Sequence, residues 1–166
     1  MPVTLRPITP EDGEFLFAVY ASTRDDEMRL VDWDAEQKES FLRMQFAAQC
    51  RYYVENYSRA EFWIILLEDQ PIGRLYVLWG EQEIRIIDFA LLPEYRHRGI
   101  GSRLLHEILG EAEKNALPVT IHVERFNPAL RLYERLGFCL AEDKGMYYFL
   151  KWSPAIGDVE EHDRVG

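Results

Sequence analysis

Residues 83–112, "EIRIIDFALLPEYRHRGIGSRLLHEILGEA", constrain this chain more than any other stretch. They open on a strand-like run, "EIRIIDFALL", which Pro93 stops. "RHRGIG" follows, and from Gly99 to Asn115 a helical stripe of Ile100, Leu104, Leu105, Ile108 and Ala112 takes over. The apolar period changes from that of a strand to that of a helix across one glycine turn. A helix delivered this way lays its apolar stripe on the sheet it has just left, which makes the chain a layered, mixed α/β structure.

The remaining elements fit that reading. "VTLRPIT" alternates as a short strand, "TPED" reads as a helix start with a capping acid, and residues 11–21 form a first helix. Residues 22–34 lack a clean period and read as a loop or short helical turns. From Ala35 to about Asn56 the pattern is helical, with Phe41, Met44, Gln45, Ala48 and Tyr52 near one face. "EFWIILLED" and "IGRLYVLWG", separated by "QP", are two strands, and "EIRIIDFALL" follows them after "EQ". "PVTIHVE" is a fourth clear strand, "NPALRLYERLGF" a short helix closed by Gly137, and "GMYYFLKW" a last strand. The order is strand, two helices, three strands, helix, strand, helix, strand. Residues 1–152 read as one domain, and residues 153–166, with four acids and no period, as a mobile tail.

Composition bounds the function. With 48% hydrophobic and 29% charged residues the chain reads as globular rather than disordered. Twenty-nine acids against nineteen bases give a net charge of −10, which argues against nucleic acid and suits a cationic acceptor such as an amine. No apolar run is long enough to span a membrane, and "MPVTLRPITP" lacks the marks of a secretion leader, so a cytoplasmic protein is expected. Cys50 and Cys139 are too few and too far apart for a disulfide framework or a zinc site, and no metal is expected.

Within an acidic chain, "RHRGIGSRLL" gathers positive charge at a helix start. The first amides of a helix lack internal partners and, with the helix dipole, favour an anion. Gly99 and Gly101 remove the Cβ atoms that would block close approach, while Arg96, His97, Arg98 and Arg103 add positive potential and Ser102 a hydroxyl. These residues suit a phosphorylated ligand. They lack the lysine and the spacing of a nucleotide P-loop, and Leu104 stands where a dinucleotide fingerprint would need its third glycine. An arginine-rich solvated turn is the competing reading of the same residues.

"LLPEYRHRGIGSRLL" is similar to the acyl-coenzyme A signature of the GNAT superfamily of N-acetyltransferases, [QR]-x-x-G-x-[GA], with Arg96, Gly99 and Gly101 in its fixed positions. "NPALRLYERLGF" resembles the Asn…Leu-Tyr-Glu…Gly-Phe helix that follows the next strand in that family. The resemblance covers residues 61–152 well and residues 1–60 in outline. It implies a GNAT-like fold, a central, mostly antiparallel mixed sheet flanked by helices on both faces. It also implies N-acetyltransferase activity with acetyl-coenzyme A as donor.

Carried over by position, the resemblance gives Phe89, Ala90 and Leu91 backbone contacts to the pantetheine arm. It gives the amides of His97, Arg98, Gly99, Ile100, Gly101 and Ser102, beside Arg96, the pyrophosphate. Asn127 matches an asparagine that contacts the cofactor arm, and Tyr133 the tyrosine that protonates the departing thiolate. Tyr133 also shares a helix face with Ala129, Leu132 and Leu136, so a core tyrosine is the other reading. The general base is less determined. Arg85 stands where histone-modifying members carry a glutamate; Asp88 is the candidate, with a structural aspartate as the alternative, and His122, Glu124 and a water chain come after it.

The function expected is transfer of an acetyl group to a primary amine of a small molecule or peptide by direct attack, without an acyl-enzyme. A non-catalytic acyl-coenzyme A sensor is the alternative. The partners expected are an amine acceptor, no nucleic acid and no membrane, and the resemblance allows a homodimer. Asp25, Asp26, Glu27, Asp32 and Asp34 would attract a cationic amine or form a plain solvated loop.

Overall fold

The computed structural model describes residues 2–155, so most of the expected tail lies outside the described residues. Seven strands form one sheet in the order β1-β2-β3-β4-β5-β7-β6, flanked by helices: the mixed, mostly antiparallel α/β fold expected. The chain divides into two compact units, one holding residues up to 76 with 89–96, the other residues 77–88 with those from 97 on.

In the first unit, β1 (Val3–Pro7) pairs antiparallel with β2 (Glu61–Leu67). A 3-10 turn at Pro10–Asp12 leads into α1 (Gly13–Thr23). The capping acid read from "TPED" is Asp12, whose carboxylate accepts the Thr9 N–H at 2.8 Å. It also takes both prongs of the Arg6 guanidinium, at 2.9 and 2.8 Å, which ties β1 to the start of α1. Arg6 and the Thr9 amide hold the buried Asp12 carboxyl down at about 2, against the pull of burial.

α1 buries Leu16, Phe17, Val19 and Tyr20. Residues 22–34 contain the short helix α2 (Asp25–Arg29), and α3 runs from Ala35 to Asn56 as expected. Asp34 and Gln37 close a reciprocal capping box at its start, with bonds of 2.8 and 3.0 Å. The inward face of α3 differs from the expectation. Leu42 is buried, with Phe41 and Phe46 packed on the Phe17–Tyr20 cluster, whereas Met44 and Tyr52 are more than half exposed. Apolar residues occupy several faces of α3, so a period read from the sequence alone can be rotated by one position; α1 decides it.

β3 (Gln70–Trp79) begins earlier than expected. The hairpin turn is not "QP" but Glu68–Asp69, both at positive φ, 50° and 69°. Positive φ at two successive residues gives the turn the twist that joins antiparallel strands.

In the second unit, β4 (Ile84–Leu91) pairs parallel with β5 (Val119–Glu124) over Ile84↔Val119, Arg85↔Thr120 and Ile86↔Ile121. β5 pairs antiparallel with β7 (Tyr147–Trp152) along its whole length. Between β4 and β5, α4 (Ile100–Lys114) buries the expected stripe, with Leu109 added. The five leucine and isoleucine side chains of that stripe contribute roughly 1.5–3 kcal/mol each in gross burial.

The edge strand β6 (Cys139–Asp143), paired with β7, was not expected. All five of its residues are exposed, and its register shifts between Leu140 and Glu142. A strand with no buried face has no alternation to read.

Candidate functional site

The signature loop is built on a change of backbone handedness. His97 has φ +62° and Gly99 +80°, and Gly99 stands at the N-cap of α4 without a side-chain cap. A left-handed residue followed by helical ones turns successive N–H groups toward one concavity, a shape suited to an anion. The first turn of α4 closes with the Arg103 N–H on the Gly99 carbonyl, at 3.1 Å. The amides of Ile100, Gly101 and Ser102 precede that bond and have no carbonyl behind them within the helix. Ile100 is buried and anchors the turn, while His97, Arg98 and Gly99 are exposed.

Phe89, Ala90 and Leu91 belong to the first unit, all half-buried at the end of β4. Leu92 donates its N–H to the Ile72 carbonyl at 2.8 Å. A Cβ on Gly73 would overlap the Ala90 carbonyl oxygen and lie 3.0 Å from Leu91 Cα. Gly73 is therefore what allows β3 to approach this end of β4, and sequence reading missed it. Its signal was an isolated glycine inside an otherwise continuous strand. Arg96, taken for a source of positive potential, also has a local structural task. Its Nε donates to the Leu91 carbonyl at 3.0 Å, across the 3-10 turn Pro93–Tyr95.

In the second unit the parallel pairing of β4 with β5 is recorded through Ile86↔Ile121, while both strands continue. Beyond that point β5 keeps β7 on its other side. Asp88 lies past the paired stretch on β4, and His122 is the first residue past it on β5.

Tyr133 sits on α5 (Leu130–Arg135) and is only 3% exposed. Burial pushes its phenol well above the ordinary tyrosine value, and the nearby Asp88 carboxylate pushes it further. Two of the expected catalytic groups are therefore electrostatic neighbours. Asn127 shapes the entry to α5: its Oδ1 accepts the Ala129 N–H at 2.9 Å, and its backbone accepts from Leu130 and donates to Glu124. The side-chain amide nitrogen remains as a donor.

The other base candidates are placed differently. Arg85 bonds Thr120 through Nε at 3.1 Å and Glu83 through Nη2 at 2.9 Å. His122 is exposed, and its Nε2 meets the Lys144 ammonium at 3.3 Å. Burial of part of the ring, then the charges of Arg85 and Lys144, lower its basicity. Lys144 and Phe149 gave no signal in the sequence.

Three of the five acids of residues 25–34 have structural employment. Glu27 pairs with Arg24, Asp26 with Arg29, and Asp34 caps α3. A groove beside the α3 start, lined by Trp33, Asp34, Gln37 and Phe41 among others, holds none of the expected catalytic or cofactor-binding residues. Among the described residues no group of His, Cys, Asp or Glu could hold a metal ion, and no helix is long and apolar enough to cross a membrane.

Comparison with known proteins places this geometry. A mycothiol acetyltransferase of Corynebacterium aurimucosum is 40% identical over 79 residues, which span 46% of this chain and only 22% of that protein. The PaiA N-acetyltransferase of Thermoplasma acidophilum, solved in complex with coenzyme A, superposes with a TM-score of 0.69 at 20% identity, covering 92% of this chain and 99% of that one. The ribosomal-protein-S18-alanine N-acetyltransferase of Escherichia coli follows with a TM-score of 0.60 at 17% identity, covering 92% and 94%. At such identities these structures speak for the fold. The model of the acetyltransferase (GNAT) family matches residues 25–138, a span that contains both the left-handed loop before α4 and the helix bearing Tyr133. By that match, the chain belongs to the acetyltransferase (GNAT) family.

Proposed function

We propose that this protein transfers an acetyl group from acetyl-coenzyme A to a primary amine by direct attack of the nitrogen on the thioester. The observation that carries the reading is the left-handed turn at His97 and Gly99, which leaves the first amides of α4 facing one concavity with no carbonyl partner inside the helix. Amides from His97 to Ser102 would hold the pyrophosphate, and the backbone of Phe89, Ala90 and Leu91 with the Asn127 amide the pantetheine arm. Arg96 acts on the loop by fastening it to Leu91.

Tyr133 and Asp88 handle the protons. The amine nitrogen bonds to the acetyl carbon as Asp88 accepts a proton from it. The carbon–sulfur bond then breaks, and the Tyr133 phenol gives its proton to the departing thiolate. The proton on Asp88 restores the phenol, so the enzyme ends as it began. The coupling of the two groups supports this order: a charged Asp88 keeps the phenol protonated, and a neutral one makes it a stronger acid when sulfur needs a proton.

The test is incubation with labelled acetyl-coenzyme A and a panel of primary amines. Transfer is expected and should fall by roughly a hundredfold in Tyr133→Phe, while thermal stabilisation by coenzyme A persists. Stabilisation by coenzyme A without transfer to any amine would overturn the catalytic reading in favour of a sensor.

A further inference from the structure

The second unit carries a sheet face whose make-up runs against the acidity of the chain. Registers across β4, β5, β7 and β6 set two rows side by side. In one, Arg85 lies opposite Thr120, and Thr120 opposite Lys151. In the next, His122 lies opposite Phe149, and Phe149 opposite Glu142. Lys144, from the turn between β6 and β7, reaches back to His122 at 3.3 Å. Arg85 and Lys144 each stand 5.5 Å from the centre of the Phe149 ring, and the His122 ring packs on it at 4.8 Å. Arg85, Lys144 and Lys151 stand here with three carboxylates: Glu83 on Arg85 at 2.9 Å, Glu142 on Lys144 at 3.9 Å, and Glu124, which follows His122 on the same face of β5. The face thus holds as many cations as carboxylates in a chain of net charge −10. His122 and Lys151 are exposed and Phe149 is half-buried, so the face is open to a ligand.

Its position matters as much as its charge. His122 is the first β5 residue beyond the last recorded pair with β4. Its side chain alternates with Ile121 and Val123, both buried on the opposite face. On β4, Asp88 lies on the face opposite Arg85, where it acts on Tyr133. This part of the sheet therefore has the proposed proton-handling pair on one face and the cationic, aromatic group on the other.

We propose that Lys144, Arg85 and the Phe149–His122 rings form the acceptor subsite, and that the acceptor amine carries a carboxylate which this face recognises. The proposal deepens the acetyl-transfer reading and rests on it. Lys144 is the approachable contact. Its ammonium lies 3.3 Å from the His122 ring nitrogen and 3.9 Å from the Glu142 carboxylate, and its side chain is nearly half exposed. Arg85, fastened by Thr120 and Glu83, supplies fixed positive potential. The aromatic rings take the methylene chain between amine and carboxylate. The same chemistry could come from a free amino acid or from an acidic side chain on a peptide.

The test compares acceptors that differ only in charge: 4-aminobutyrate with its carboxamide, and the tripeptide Glu-Ala-Ala with Gln-Ala-Ala, both amidated. In at least one pair, kcat/KM should favour the carboxylate by about tenfold or more. The first pair identifies a free amino acid and the second a peptide. In Lys144→Gln that ratio should fall about tenfold. Equal use of both members of both pairs, or an unchanged ratio in Lys144→Gln, overturns the proposal. A second readout needs no turnover. With coenzyme A bound, the His122 ring resonances should shift saturably with 4-aminobutyrate or the Glu tripeptide and not with their amides. No shift with either carboxylate overturns it as well. Failure of the acetyl-transfer reading looks different: coenzyme A stabilises the protein and no amine, charged or neutral, is acetylated.

Discussion

Phe138 donates its N–H to the Tyr133 carbonyl at 3.0 Å and sets its ring 5.6 Å from the Tyr133 ring, edge to face. With the Gly137 N–H on the Glu134 carbonyl at 3.1 Å, this is a Schellman ending to α5. The motif does more than stop the helix. It folds the next residue back onto Tyr133 and packs against the ring to which the proposed mechanism gives the acid's role. Gly137 makes the turn at φ +102°, where a Cβ would also lie 3.2 Å from Trp152 Cδ1.

Gly137→Ala should therefore destabilise the protein by about 1–3 kcal/mol. Gly110→Ala, inside α4 with open space around its Cβ, should instead stabilise by roughly 0.5–1 kcal/mol. Urea unfolding of both variants checks the contrast. Equal effects would mean that the left-handed turn is not what holds α5.

Gly73 gives a prediction for the first unit. A methyl group there meets the Ala90 carbonyl and Leu91 Cα, both backbone, so β4 itself must shift. Gly73→Ala should cost about 1–3 kcal/mol and weaken coenzyme A binding by about tenfold, read by isothermal titration. Stability lost with affinity intact would detach the end of β4 from the cofactor arm.

What was legible in the sequence followed from strong local signals. The α4 stripe and the glycines at 99 and 137 are tied to one conformation by period and backbone freedom, and each was placed correctly. The Asp12 start was legible for the same reason, since a capping acid acts within three residues, whereas the cap at Asp34 was not read from the sequence. β6 was not, because an edge strand exposed on every residue carries no alternation. The inward face of α3 was settled by α1, which a local window does not see. The contact of Lys144 with His122 depends on the β5–β7 register, 22 residues apart in sequence.

Asp12 makes stability depend on pH in the acid range. Its folded carboxyl sits at about 2 against an ordinary value of 3.8, chiefly through Arg6. A depressed acid stabilises the fold fully above its ordinary value and loses that contribution as pH falls toward the folded value. Asp12→Asn should cost about 1–2 kcal/mol at pH 7, after allowance for solvent screening of the partly exposed Arg6. The difference between the two proteins should shrink between about pH 4 and pH 2. Denaturant midpoints at pH 7 and across that interval check it; a constant difference would assign the loss to packing.

The pairing of Asp88 with Tyr133 makes the sharpest functional prediction. Burial is the larger cause of the raised phenol and Asp88 the smaller, so Asp88→Asn should lower the Tyr133 value yet leave it above that of an ordinary tyrosine. In the wild-type protein Tyr133 then holds its proton throughout the neutral range, and loss of the acid sets no basic limb there. In Asp88→Asn that limb moves to lower pH, still on the alkaline side. Removal of the proposed proton acceptor should at the same time lower kcat by about a hundredfold, with little change in coenzyme A binding. Phenolate absorbance against pH and the pH profile of kcat measure the two effects separately. A shifted phenol with undiminished kcat would leave Asp88 a positioning residue for Tyr133 and pass the amine's proton to water.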